Sequence, residues 1–124
     1  MTTATARIAL LLALSATGPA SAAVIEGSYG NAEGCAYATT GESSGADFFF
    51  LLNGEGVTTA AAYCEFKGEP KQVGGATKVA AECHEEGYEE ETTPRELTLT
   101  PDGGGYTLSF PDGTRWGPLM RCEQ

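Results

Sequence analysis

Positive charge is scarce in this chain: 7 lysines and arginines stand against 17 aspartates and glutamates, a formal net charge of −10 at pH 7. Such a balance repels nucleic-acid phosphates and anionic lipid surfaces, which excludes nucleic-acid binding, and it attracts cationic proteins through a long-range field. Histidine occurs once. There is no G-x-S-x-G elbow, no glycine-rich phosphate loop and no C-x-x-C pair, so serine-hydrolase, nucleotide and short-spaced zinc chemistry all lack their residues. Paired carboxylates could hydrolyse a glycosidic bond, but a chain this small has little surface for a deep cleft. The chain is therefore not expected to be an enzyme or to carry a cofactor.

A long hydrophobic run is missing as well. The apolar stretch from Ile8 to Leu14 follows a single positive charge, Arg7, and leads into the small residues Ala20-Ser21-Ala22-Ala23. It is too short to cross a bilayer, which takes about 20 apolar residues, and its three-part layout is that of a secretory signal peptide. Residues 1–22 are read as that signal and 23–124 as the mature protein. No cysteine directly follows the apolar stretch, so no lipid or membrane anchor is expected. Removal of Arg7 takes the net charge from −10 to −11. What remains is about 100 residues, enough for a single small core. The expected product is a monomer in the periplasm or outside the cell.

Helical periodicity is the third absence, and alternation takes its place. In "TKVAAECHE", Val79, Ala81 and Cys83 face one way while Lys78, Glu82 and His84 face the other. Leu97 and Leu99 alternate with Glu96, Thr98 and Thr100; Tyr106, Leu108 and Phe110 alternate with Thr107 and Ser109. In the last segment Trp116, Met120 and Cys122 share a face against Arg115 and Arg121. In "VTTAAAYCEF", Ala60, Ala62, Cys64 and Phe66 share a face. A period of two means strands with one face in the core. "PDGGG" and "PDGT" mark the turns of a closing meander. Strands are predicted near 24–29, 35–38, 47–53, 57–67, 77–84, 95–100, 105–110 and 114–122. The fold class is all-β: a small antiparallel up-and-down barrel, or a twisted sandwich, of about seven or eight strands.

All four cysteines lie in the mature part. An even count in a small exported chain reads as two disulfides. Three connectivities are open, and loop-closure entropy does not choose among them. Alternation favours Cys64 with Cys83, inward-facing on consecutive strands. Cys35 is then left for Cys122, at the end of a last strand that neighbours the first in a closed barrel.

Two stretches are candidate binding residues. "CHEEGYEEE" and the residue before it place Glu82, His84, Glu85, Glu86, Glu89, Glu90 and Glu91 around a hairpin end. Those residues lack the nitrogen or thiolate set of a transition-metal site and the Asp-rich pattern of a calcium loop, so no metal is expected. They could form a docking surface for a basic protein. In "ADFFFLLN" alternation breaks: if Phe48, Phe50 and Leu52 enter the core, Phe49 and Leu51 point out of the other face. Either more of the chain covers them or they form an apolar patch for a partner.

The pattern G-x-Y-G at 27–30, Cys35, "CEF" at 64–66, "AEC" with "EEG" at 81–87 and a closing "RC" at 121–122 resembles a group of small exported two-disulfide β proteins of bacteria. That resemblance implies a fold and a compartment more than an activity. The stretch "SGADF", Ser44 to Phe48, is similar to the S-G-x-x-Y loop of periplasmic inhibitors of C-type lysozyme, with Phe in place of Tyr. The expected function is a non-enzymatic binding or envelope-associated protein that docks a cationic partner. An inhibitor of a lysozyme-type hydrolase is one alternative. The other is a small-ligand carrier of calycin type, which would need an internal cavity lined by Phe48, Phe50, Leu108 and Trp116.

Overall fold

The computed structural model describes residues 24–42, 45, 48–87 and 90–123. The expected signal peptide, Ser44 and Glu89 lie outside those residues. β1 (Tyr29–Gly30) leads into a helix, α1 (Ala32–Thr40), and seven strands follow: β2 (Phe50–Leu52), β3 (Gly56–Thr59), β4 (Ala62–Val73), β5 (Ala76–Glu85), β6 (Thr93–Asp102), β7 (Gly105–Ser109) and β8 (Arg115–Arg121). Each strand pairs antiparallel with the next and β8 pairs with β1, so the sheet closes into an up-and-down barrel.

Alternation decides what goes inside. Val79, Ala81 and Cys83 of β5 are buried, and the register sets Val79 opposite Leu97 of β6, and Leu99 opposite Leu108 of β7. With Leu52 and Val57 these side chains fill the interior. Each buried Val or Leu among them contributes roughly 1.5–3 kcal/mol relative to leaving it exposed. Turns of the meander fall where glycine permits positive φ, as at Gly103 and Gly104 between β6 and β7.

Three local expectations are corrected. The stretch 57–67 is two strands, because Ala60 and Ala61 form the turn between β3 and β4. The Thr59 hydroxyl accepts from the N–H groups of Ala61 and Ala62 at 3.3 and 3.0 Å, which offers the backbone a local alternative to the ladder. In β8 the core residue is Leu119, 3% exposed, and Met120 is outside at 45%. Leu108 faces Trp116 and Tyr106 faces Leu119, so β8 carries one extra residue there and the alternation reverses phase. Gly117 occupies that bulge with φ +126 and a backbone approach to Tyr106 that leaves a Cβ no room. Thr107, expected on the wet face, is 6% exposed and donates a hydrogen bond to Asp102 Oδ2 at 3.1 Å.

The larger correction concerns residues 35–38, which belong to α1 and not to a strand. Its ends are chemically defined. The Asn31 side chain accepts from the Gly34 N–H at 2.8 Å and from the Phe50 N–H at 3.2 Å, and donates to the Phe48 carbonyl at 2.8 Å. Gly41, at φ 73, closes the helix with its N–H donating to the Tyr37 carbonyl. The helix approaches the barrel through Gly34, where a Cβ would overlap the Phe50 carbonyl, so no row of large apolar residues marks its inner face.

This helix answers the broken alternation of "ADFFFLLN". Phe49 and Leu51, proposed as an apolar binding patch, are 5% and 6% exposed. α1 packs against β2, and Tyr37 meets Phe49 edge to face with ring centroids 5.0 Å apart. Leu52 fills the barrel interior, so β2 is buried on both faces. Phe48, expected in the core, is outside at 77% exposure because the chain has not yet entered β2 there.

Cys64 and Cys83 are directly opposed across β4 and β5 and bonded. Cys35 is bonded to Cys122, which ties α1 to the segment leaving β8. The Cys122 N–H donates to the Ser28 carbonyl at 2.8 Å, closing the seam beside β1. Two disulfides mark a protein of an oxidising, non-cytoplasmic compartment. No helix among the described residues is long and apolar enough to cross a membrane.

Candidate functional site

The acidic run is carried by the end of β5 and the connection to β6. Glu82 and His84 project from the outer wall of the barrel, where Tyr63 is paired with His84 and Glu65 with Glu82. The rings of Tyr63 and His84 stack with centroids 6.5 Å apart and planes at 22°. Burial raises the Tyr63 phenol above its ordinary range, and the Glu65 and Glu55 carboxylates add to the effect. Glu65 and Glu82 are like charges placed directly opposite each other, an arrangement that disfavours the pairing. Lys67, 3.3 Å from Glu65, offsets part of that repulsion. Glu85 and Glu86 are exposed where the strand ends, and the Glu86 N–H donates to the Ala61 carbonyl at 2.8 Å. Glu90 and Glu91 are exposed in the connection. Six of the predicted patch residues, Glu82, His84, Glu85, Glu86, Glu90 and Glu91, thus share one end of the barrel and the wall next to it. Among the described residues no group of three or more histidines, cysteines or carboxylates is placed to hold a metal.

The same end of the barrel is open. A cavity of about 170 Å³ is lined at its base by Cys64, Cys83, Phe110 and Trp116, and at its rim by Glu85, Thr93, Arg95, Asp112 and Thr114. Trp116, the chain's one tryptophan, lies 4.8 Å from Phe110 and 5.5 Å from Phe50 between ring centroids. Asp112 accepts from the Thr114 N–H at 2.8 Å, and its contacts with Thr114, helped by the Arg95 charge, hold its carboxyl below the usual range. Sequence reasoning assigned Phe110, Arg95 and Asp112 no functional role. Asp112 belongs to the turn "PDGT" and Trp116 is the second residue of the next strand, so a turn beside the only tryptophan was the available signal. Arg95 comes to the rim through the pairing of β5 with β6, which no local pattern shows.

The lysines gather toward the far end, among carboxylates of their own. Every lysine of the chain, Lys67, Lys71 and Lys78, lies on the hairpin of β4 and β5, and Lys71 stands directly opposite Lys78. β4 outruns β3 here: β3 pairs only as far as Glu65, and beyond it the described strands give β4 one partner, β5. Lysines, Pro70 and the positive φ of Gly68 (+74) are features that discourage a free edge from pairing with another chain.

The carrier cavity is not formed by the four residues expected to line it. Leu108 is fully buried in the packed interior, Phe48 is outside, and Phe50 and Trp116 pack against each other. Compared with protein-family models, curated proteins and solved structures, the chain matches none of them.

Proposed function

We propose that the protein is an exported binding module, periplasmic or secreted, that docks a cationic protein on the acidic end of its barrel. The observation that carries this reading is the gathering of the exposed glutamates Glu85, Glu86, Glu90 and Glu91 at one end, while all the lysines lie on the β4–β5 hairpin, where Glu65 and Glu69 stand among them. A field of that shape steers a basic partner to one end of the molecule and orients it on arrival. The mouth at this end, about 170 Å³, is smaller than the roughly 300–1,000 Å³ of a typical small-molecule site.

Phe48 gives a first partner to test. It occupies the Tyr position of the stretch resembling the lysozyme-inhibitor loop and is presented to solvent at 77% exposure. Calorimetric titration of the oxidised mature protein with a C-type lysozyme and with polylysine, at low and high salt, tests the reading. Saturable binding to both that weakens as salt rises is the expected result. Loss of lysozyme activity in the complex would narrow the function to inhibition. Absence of binding to either probe at low salt sinks the proposal.

A further inference from the structure

Resting on the cationic-partner reading, we infer that the open mouth beside β5 is a socket for one lysine or arginine side chain of the partner. A basic side chain has two parts, an apolar stem and a charged head, and the mouth has a matching region for each. Its base is apolar and aromatic, formed by the Cys64–Cys83 disulfide with Phe110 and Trp116. Its rim carries the carboxylates of Glu85 and Asp112. A side chain laid across the mouth rests its stem on the rings and its cation against a rim carboxylate, so apolar contact and charge pairing act together. The volume of about 170 Å³ holds one such side chain and little more.

Arg95 shares the rim, and its charge has to be weighed. Counted with the carboxylates of Asp112 and Glu85, it leaves the rim one negative charge in excess. The sign at the mouth is then set by Glu85, with the exposed Glu86, Glu90 and Glu91 on the same end. Arg115 is exposed between Thr114 and Trp116, so a ligand there meets two guanidiniums as well as the carboxylates. Arg95 weakens a cation in the socket; it does not reverse the preference.

Trp116 is the chain's one tryptophan and lines this mouth, so its emission reports occupancy directly. The experiment titrates the oxidised mature protein with dye-labelled tetralysine, reading dye anisotropy for any binding and Trp116 emission for entry into the mouth. Both signals should saturate at the same concentration. The double variant Glu85→Gln with Asp112→Asn, which keeps an oxygen to accept from the Thr114 N–H, should bind about fivefold more weakly. Glu90→Gln with Glu91→Gln, carboxylates of the same end that do not line the mouth, should weaken binding less, by about twofold. Arg95→Gln should bind tetralysine more tightly.

Anisotropy that rises with no change in Trp116 emission would overturn the socket and leave surface docking intact. Equal losses in the two double variants would do the same. Weaker binding in Arg95→Gln would overturn the socket by showing that the mouth holds an anionic group. No anisotropy change at low salt would remove the cationic-partner reading itself, and the socket with it.

Discussion

Two walls of the same barrel meet the solvent differently. The wall at β2 is an unbroken apolar run, Phe49 to Leu52, and it is covered: the interior takes one side of the strand and α1 lies over the other. The wall at β4 and β5 is different: β5 alternates, burying Val79, Ala81 and Cys83 and turning Lys78, Glu82 and His84 to a face that no helix covers. The difference teaches where a partner has room. An apolar patch that sequence alone left open for binding is used up by the protein's own helix, and the uncovered wall is the polar one. On the proposed reading, recognition falls to charge, at the acidic end and its aromatic mouth.

The sharpest way to break the contrast is to release the cover. The bond between Cys35 and Cys122 spans 87 residues of sequence and holds α1 to the end of β8. Replacing both by serine should cost about 4–5 kcal/mol in the loop-closure model, measured by urea unfolding. The corresponding loss for Cys64 with Cys83, separated by 19 residues, should be about 3 kcal/mol. The first pair of replacements should also expose Phe49 and Leu51 to a hydrophobic dye; the second should not. Equal dye binding by the two variants would mean that α1 is not what covers that wall.

A smaller change acts on the same contact. Gly34→Ala drives a methyl into the Phe50 carbonyl, and the helix must move outward, at a cost of about 3 kcal/mol. A thermal midpoint equal to that of the parent protein would show that the helix has slack the geometry does not reveal. On the uncovered wall the expected effect is smallest. Glu82→Gln removes one of two like charges facing each other, so stability should stay within about 0.5 kcal/mol of the parent or rise slightly. A large loss there would mean that Glu82 holds the fold and is not part of a solvated face.

Much of this architecture was legible in the residues. Alternation at 79–83 and 97–99 located the core strands, the "PDGGG" and "PDGT" turns located the closing meander, and both disulfides follow from facing and neighbourhood. What escaped did so for stated reasons. α1 was missed because it reaches the barrel through glycine and one tyrosine, although its Asn31 cap and Gly41 stop were in plain view. Met120 was placed inside because one extra residue in β8 reverses the phase, and a bulge leaves no periodic trace. Of the site, the glutamates and His84 were found because they are contiguous in the chain. Arg95 and Asp112 join Glu85 at one rim only because three strand ends meet there.

The sequence by itself determined the oxidising compartment, the all-β class, the meander and the sign of the charge, because composition, cysteine parity and a period of two act locally and survive any packing. It took tertiary contacts to cover Phe49 and Leu51 and to bring a tryptophan, a phenylalanine, an arginine and two carboxylates around one opening. Those are facts of register and closure. They depend on contacts between residues far apart in the chain, whose pairing no local pattern encodes.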